Sequence, residues 1–121
     1  MRAEAQASAD RIKDSLALLR RFLDWDVALR RLDELNARVE DQSLWDNPKL
    51  AQEVMRERRR LEEAVSATRA IEQGLADTVE LIEMAEAEGD EEMASEGTRE
   101  LTALADRAEQ DKVKALLSGE A

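Results

Sequence analysis

The sequence predicts an all-α fold: an elongated antiparallel bundle of about four helices with one long spine helix, about residues 48–88. Three observations carry this. Leu, Ala, Arg and Glu dominate, and 39% of residues are charged, a composition shared by bundles and coiled coils. Apolar residues recur at steps of three and four over long runs, the period of a helix with one buried face. Helix-stopping residues are concentrated at a few points, with one proline and four glycines in 121 residues.

The first helix is expected from about Ala3 to Leu23. Ile12, Leu16, Leu19 and Leu23 step by four, three and four, with Phe22 beside them. A bend is expected at Asp24-Trp25-Asp26. The second helix, about Trp25 to Glu40, has the cleanest stripe, Trp25, Ala28, Leu32, Leu35 and Val39, flanked by Val27 and Leu29. That spacing suits packing along another helix at a shallow angle.

The strongest interruption reads Leu44-Trp45-Asp46-Asn47-Pro48. Pro48 fits the first turn of a helix, where its missing N–H is not needed, and Asp46 or Asn47 can cap that turn. Trp45 is expected to be buried, folding back over the helix ends as a hydrophobic staple would. The third helix then meets no firm stop until Gly89. From Pro48 to Glu88 its buried face is Leu50, Val54, Leu61, Val65, Thr68, Ile71, Leu75, Val79 and Ile82. Gly74 is a weak breaker, at about 1 kcal/mol against alanine, so one helix is expected with a bend allowed there.

Gly89 ends that helix in a left-handed conformation and Asp90 caps the next, with Glu91 and Glu92 in its first turn. The fourth helix runs to about Leu117 with Met93, Gly97, Leu101, Leu104 and Ala108 inward. The small Gly97 and Ala108 favour close approach to a neighbour. Short connections imply that consecutive helices are antiparallel neighbours. The second helix would cover the first half of the third and the fourth its second half, while the first fills out one end. Residues 1–121 form one domain, and 118–121 read as the start of a linker to a further domain.

Composition also bounds function. Histidine, cysteine and tyrosine are absent, which removes the usual nucleophile–base pairs and His/Cys metal sites. Alanine and leucine supply 20 and 16 of the apolar residues, so any core is thin. No stretch approaches the ~20 apolar residues of a membrane span, and a cytoplasmic location is the expectation. The net charge of −11 opposes general or sequence-specific DNA binding.

Several clusters are candidates for more than packing. The acids Glu83, Glu86, Glu88, Asp90, Glu91 and Glu92 crowd one turn, but they lack the alternating order of a calcium loop and read as a solvated tip. Trp25 continues a stripe and reads as core. Arg20-Arg21 and Arg30-Arg31 read as solvated faces with i,i+4 partners. Arg56, Arg58, Arg59 and Arg60, on a turn of helix without apolar cover, are the best candidate for a partner-binding surface. No Gly-rich phosphate loop or paired catalytic carboxylates are found. No catalytic, cofactor-binding or metal-binding residues are therefore assigned, no cofactor is expected, and the chain is read as a non-enzyme.

Three stretches carry a resemblance. They are Leu19-Arg20-Arg21-Phe22-Leu23-Asp24-Trp25-Asp26, then Leu44 to Pro48 with Ala51-Gln52, Glu57-Arg58 and Leu61-Glu62, and finally Leu116-Leu117-Ser118-Gly119-Glu120. In order and spacing they resemble the N-terminal helical domain of the bacterial peptide chain release factor 2 family, class I factors that read UGA and UAA. Leu23-Asp24 matches the step at which many members undergo an autoregulatory frameshift. The sister family that reads UAG and UAA lacks the Leu-Asp-aromatic-Asp segment. The Ser-Pro-Phe and Gly-Gly-Gln motifs, to which the family owes codon reading and peptidyl-tRNA hydrolysis, do not occur here.

The resemblance implies a non-catalytic interaction domain of a translation termination factor. Its implied partners are the ribosome, at stalk-base proteins and the adjoining rRNA region, and the class II release factor. The domain alone is expected to be a monomer or to self-associate weakly. The competing reading is a free-standing coiled-coil scaffold that dimerises along Leu61, Val65, Thr68, Ile71 and Leu75.

Overall fold

A computed structural model describes residues 1–118 of the chain. Its elements are α1 (Ala3–Leu23), α2 (Trp25–Glu40), a 3-10 turn (Gln42–Asp46), α3 (Pro48–Glu88) and α4 (Glu91–Ser118). The all-α expectation holds, and the helix boundaries fall where the periodicity and caps put them. The expected linker start lies outside the described residues apart from Ser118, which closes α4.

Each boundary has a local cause. Asp24 sits in the left-handed region at φ 53°, ψ 64°, and its N–H reaches back to the Arg20 and Arg21 carbonyls. That conformation strains a residue with a side chain, least so for Asp and Asn. Asn47 caps α3, accepting the Leu50 N–H at 3.2 Å. Gly89 takes φ 73° as α3 ends, and Asp90 then accepts the Met93 N–H at 3.0 Å. The α3 helix is continuous through Gly74.

The arrangement differs from the expected one at α1. This helix does not fill out an end; it packs along the length of α4 and against the second half of α3. Arg2 donates to Ser95, Ser8 and Thr102 share a 3.2 Å hydrogen bond, and Arg11 reaches Asp106 and Glu109. Residue numbers rise together in those pairs, so α1 and α4 run parallel. Arg20 pairs with Glu72, whereas Trp25 lies by Arg69 and Arg31 pairs with Glu57. Both α1 and α2 therefore run antiparallel to α3, one after the other.

Their lengths explain this. At 1.5 Å per residue, 21 and 16 residues give roughly 31 and 24 Å, which nearly matches the roughly 60 Å of the 41-residue α3. Laid along α3 and α4 instead of folded back on α2, α1 buries Ala5, Ala9, Ile12, Leu16 and Leu19 in a core shared by three helices. The expectation that consecutive helices are antiparallel neighbours therefore fails at the α1–α2 junction.

The core is correspondingly divided. A larger cluster contains Ala5, Ala9, Ile12, Leu16 and Leu19 of α1, Ile71 and Ile82 of α3, and Leu101, Ala105, Ala108 and Ala115 of α4. A smaller one, Leu35, Leu44, Ala51 and Val54, joins α2, the 3-10 turn and the start of α3. The first is a three-helix body and the second a two-helix arm. Small residues bring the body's helices close. A Cβ built on Gly97 would stand 2.6 Å from Ile82 Cγ1, bearing out the close approach expected there.

Candidate interaction surface

Arg56 to Arg60 lie on the arm, where α3 has only α2 beside it. The segment is not uniformly solvated. Glu57 receives two hydrogen bonds from Arg31, at 2.7 and 2.8 Å. Arg58 donates to Asn36 Oδ1 at 2.6 Å and pairs with Glu62 at 3.2 Å. The Arg31–Glu57 and Arg58–Asn36 bridges hold α2 to α3 where the apolar stripe lapses, while Arg58–Glu62 lies within α3. The Arg31 hydrogen bonds keep the Glu57 carboxyl below its ordinary range, against an opposing effect of partial burial, and the Arg31 guanidinium is raised in turn by Glu57.

The candidate cluster therefore separates into two roles. Arg58 is a structural tie. Arg56, Arg59 and Arg60 stay in solvent on the outer side of α3, with Arg56 and Arg60 lining an open depression together with Glu53 and Glu57. Spacing alone could not make that distinction, because it depends on which arginine meets α2.

Both tryptophans depart from expectation. Trp45 is not buried: it is 51% exposed, and Leu44 beside it occupies the core instead. Its indole N–H still folds back, donating to the Val39 carbonyl at 3.1 Å and satisfying the end of α2. The 3-10 turn puts consecutive side chains on different sides, so only one of the pair can face inward. Trp25 is half-buried rather than core, with the guanidinium groups of Arg20 and Arg69 over its ring at 4.6 and 5.7 Å from the centroid. The cation–π attraction suits a site at the edge of two cores.

Met93, expected inward, is 39% exposed, and Ala94 takes the buried position. The first turn of α4 is thus rotated by one residue relative to the expected face. Ten carboxylates occur from Glu72 to Glu96, with no basic residue between Arg69 and Arg99. Charge is thereby separated along the spine, with acids gathered around the α3–α4 turn and the solvent-facing arginines on the arm. Among the described residues, no three of the acids come together in a way that would hold a metal ion.

These features define a helical-bundle domain with a divided core and charged, open surfaces. Residues 28–121 match the PCRF domain, and the chain belongs to that family. It is 49% identical over its whole length to "Peptide chain release factor 2" of Paramagnetospirillum magneticum, covering 33% of that protein. The release factor 2 of Roseobacter denitrificans is 46% identical over the same 121 residues, 32% of its length. That of Yersinia pseudotuberculosis is 38% identical over 109 residues, 90% of this chain and 30% of the relative. The chain spans about a third of the length of these curated relatives. No helix among the described residues is long and apolar enough to cross a membrane.

Proposed function

We propose that this chain is the N-terminal, non-catalytic interaction domain of a bacterial translation termination factor acting in the cytoplasm. In this reading it contacts the ribosome near the stalk base and modulates interplay with the class II release factor. Codon reading and peptidyl-tRNA hydrolysis belong to other parts of such a factor. The observation that carries the reading is the match over all 121 residues of this chain to release factor 2 proteins at 46–49% identity.

The test has two arms. In a ribosomal release assay the chain should liberate no peptide above background. Peptide release would refute the non-catalytic assignment. In a pull-down, stalk-base protein should retain the chain, and Arg56→Glu with Arg59→Glu should weaken retention. Arg58 is unsuitable for charge reversal, because its bonds to Asn36 and Glu62 would be broken at the same time. Unchanged retention in the double variant would remove the arm arginines as contacts.

The dimeric scaffold is the weaker reading. Val65, Thr68 and Ile71, which such a dimer would use, are buried within the chain's own bundle. An obligate dimer in sedimentation would revive it.

A further inference from the structure

We propose that Trp25, in contact with the guanidinium groups of both Arg20 and Arg69, is a latch joining two separately packed units. Its release would let α2 and the 3-10 turn open from α3 while the three-helix body stays closed. The inference concerns motion within the chain and does not depend on the ribosome reading.

Three observations converge on this position. The first is the division of the core. The body cluster contains eleven buried residues from three helices, whereas the arm cluster contains four. Elements with few buried apolar contacts open at lower free energy than the rest of a fold, as contiguous units. The second is the joint itself. At Asp24 the backbone leaves helical geometry, so α1 and α2 share no continuous hydrogen-bond ladder, and the two helices barely touch. Whatever couples them must act through side chains.

The third is the identity of the side chains at the joint. Trp25 opens α2, Arg20 belongs to the last turn of α1, and Arg69 lies on α3. One indole thus gathers all three helices that meet there. Arg20 is itself anchored, with one terminal nitrogen 2.7 Å from both Glu72 oxygens, so one face of the ring rests on a guanidinium already fixed to the spine. Val27, two residues on, is exposed.

Farther out, α2 is held by the Arg31–Glu57 and Arg58–Asn36 ties and by the Leu35 cluster. Removing the stack therefore leaves only these few contacts to hold the arm, and α2 and the 3-10 turn open together at lower free energy.

Native-state hydrogen exchange on the 121-residue chain tests the latch. Arg69→Gln removes one cation from an exposed position and should speed amide exchange in residues 26–46 roughly two- to fivefold, as expected for a cation–π contact near the surface. Trp25→Ala removes the stack and the ring's packing together and should raise it more, roughly tenfold or beyond. In both variants the α1 and α4 amides should change less than about twofold. An equal rise across the arm and the body would show one cooperative unit and overturn the proposal. So would unchanged arm exchange in Arg69→Gln, which decides the question even if Trp25→Ala does not fold.

Discussion

Alanine substitution at the two glycines inside helices should destabilise at Gly97 and not at Gly74. Gly74 and Gly97 both occupy helix interiors, where glycine costs about 1 kcal/mol relative to alanine. Propensity alone therefore predicts the same gain at each. The neighbours differ. At Gly97 a Cβ would stand 2.6 Å from Ile82 Cγ1 and 3.4 Å from its Cδ1. Ile82 is 1% exposed and β-branched, so its χ1 has little freedom within α3, and relief requires α3 and α4 to separate. Overpacking of this kind costs roughly 1–3 kcal/mol, which outweighs the propensity gain and leaves Gly97→Ala about 1 kcal/mol less stable. At Gly74 the nearest atom is Leu104 Cδ2, at 3.2 Å. It ends a flexible, half-buried side chain that can give by a few tenths of an ångström, so Gly74→Ala should be neutral or stabilised by up to about 1 kcal/mol. Thermal melts followed by circular dichroism should show Gly97→Ala lowered by roughly 3–6 °C, a shift of the usual size for that free energy in a domain of this length. Gly74→Ala should be unchanged or raised. A Gly97→Ala protein as stable as the parent would refute the close-contact argument.

Other tests address caps, the joint and charge. Asn47→Ala should cost about 1 kcal/mol in urea unfolding, because the Leu50 N–H loses its side-chain acceptor. Asp24→Gly should stabilise by about 0.5–1 kcal/mol, since Asp24 makes no side-chain cap bond and its left-handed conformation suits glycine; a destabilised variant would show that the carboxylate does something at the joint. The depressed Glu57 carboxyl contributes stability that is fully present above its unfolded pKa of about 4.3 and is lost as pH falls through the lower folded value. The stability gap between the parent and Glu57→Gln should therefore be widest at neutral pH and narrow on acidification. A gap independent of pH between 7 and 3 would dismiss the Arg31–Glu57 tie as a source of stability.

The candidate surface was only partly legible. The lapse of the apolar stripe at Arg56–Arg60 correctly marked the stretch of α3 with least cover. It could not distinguish Arg58, tied to Asn36, from Arg56, Arg59 and Arg60, which remain in solvent. The staple expected at Trp45 folds back but is not buried, because the 3-10 turn gives the inward place to Leu44 and leaves the indole N–H to satisfy a carbonyl. The Trp25 stack was invisible in advance, since Arg69 lies 44 positions away and nothing local selects it from eighteen basic residues.

Local sequence determined the helices themselves. Leucine and alanine at steps of three and four, Asn47-Pro48, Gly89-Asp90 and the turn at Asp24 specify where each begins and ends, because propensity and capping act within a few residues. Tertiary structure decided which helices meet. Whether α1 folds back on α2 or continues along α3 depends on which arrangement buries its apolar face, here against both α3 and α4, and that free energy belongs to no single segment. The parallel α1–α4 contact, the division of the core and the indole in contact with two arginines all follow from that choice.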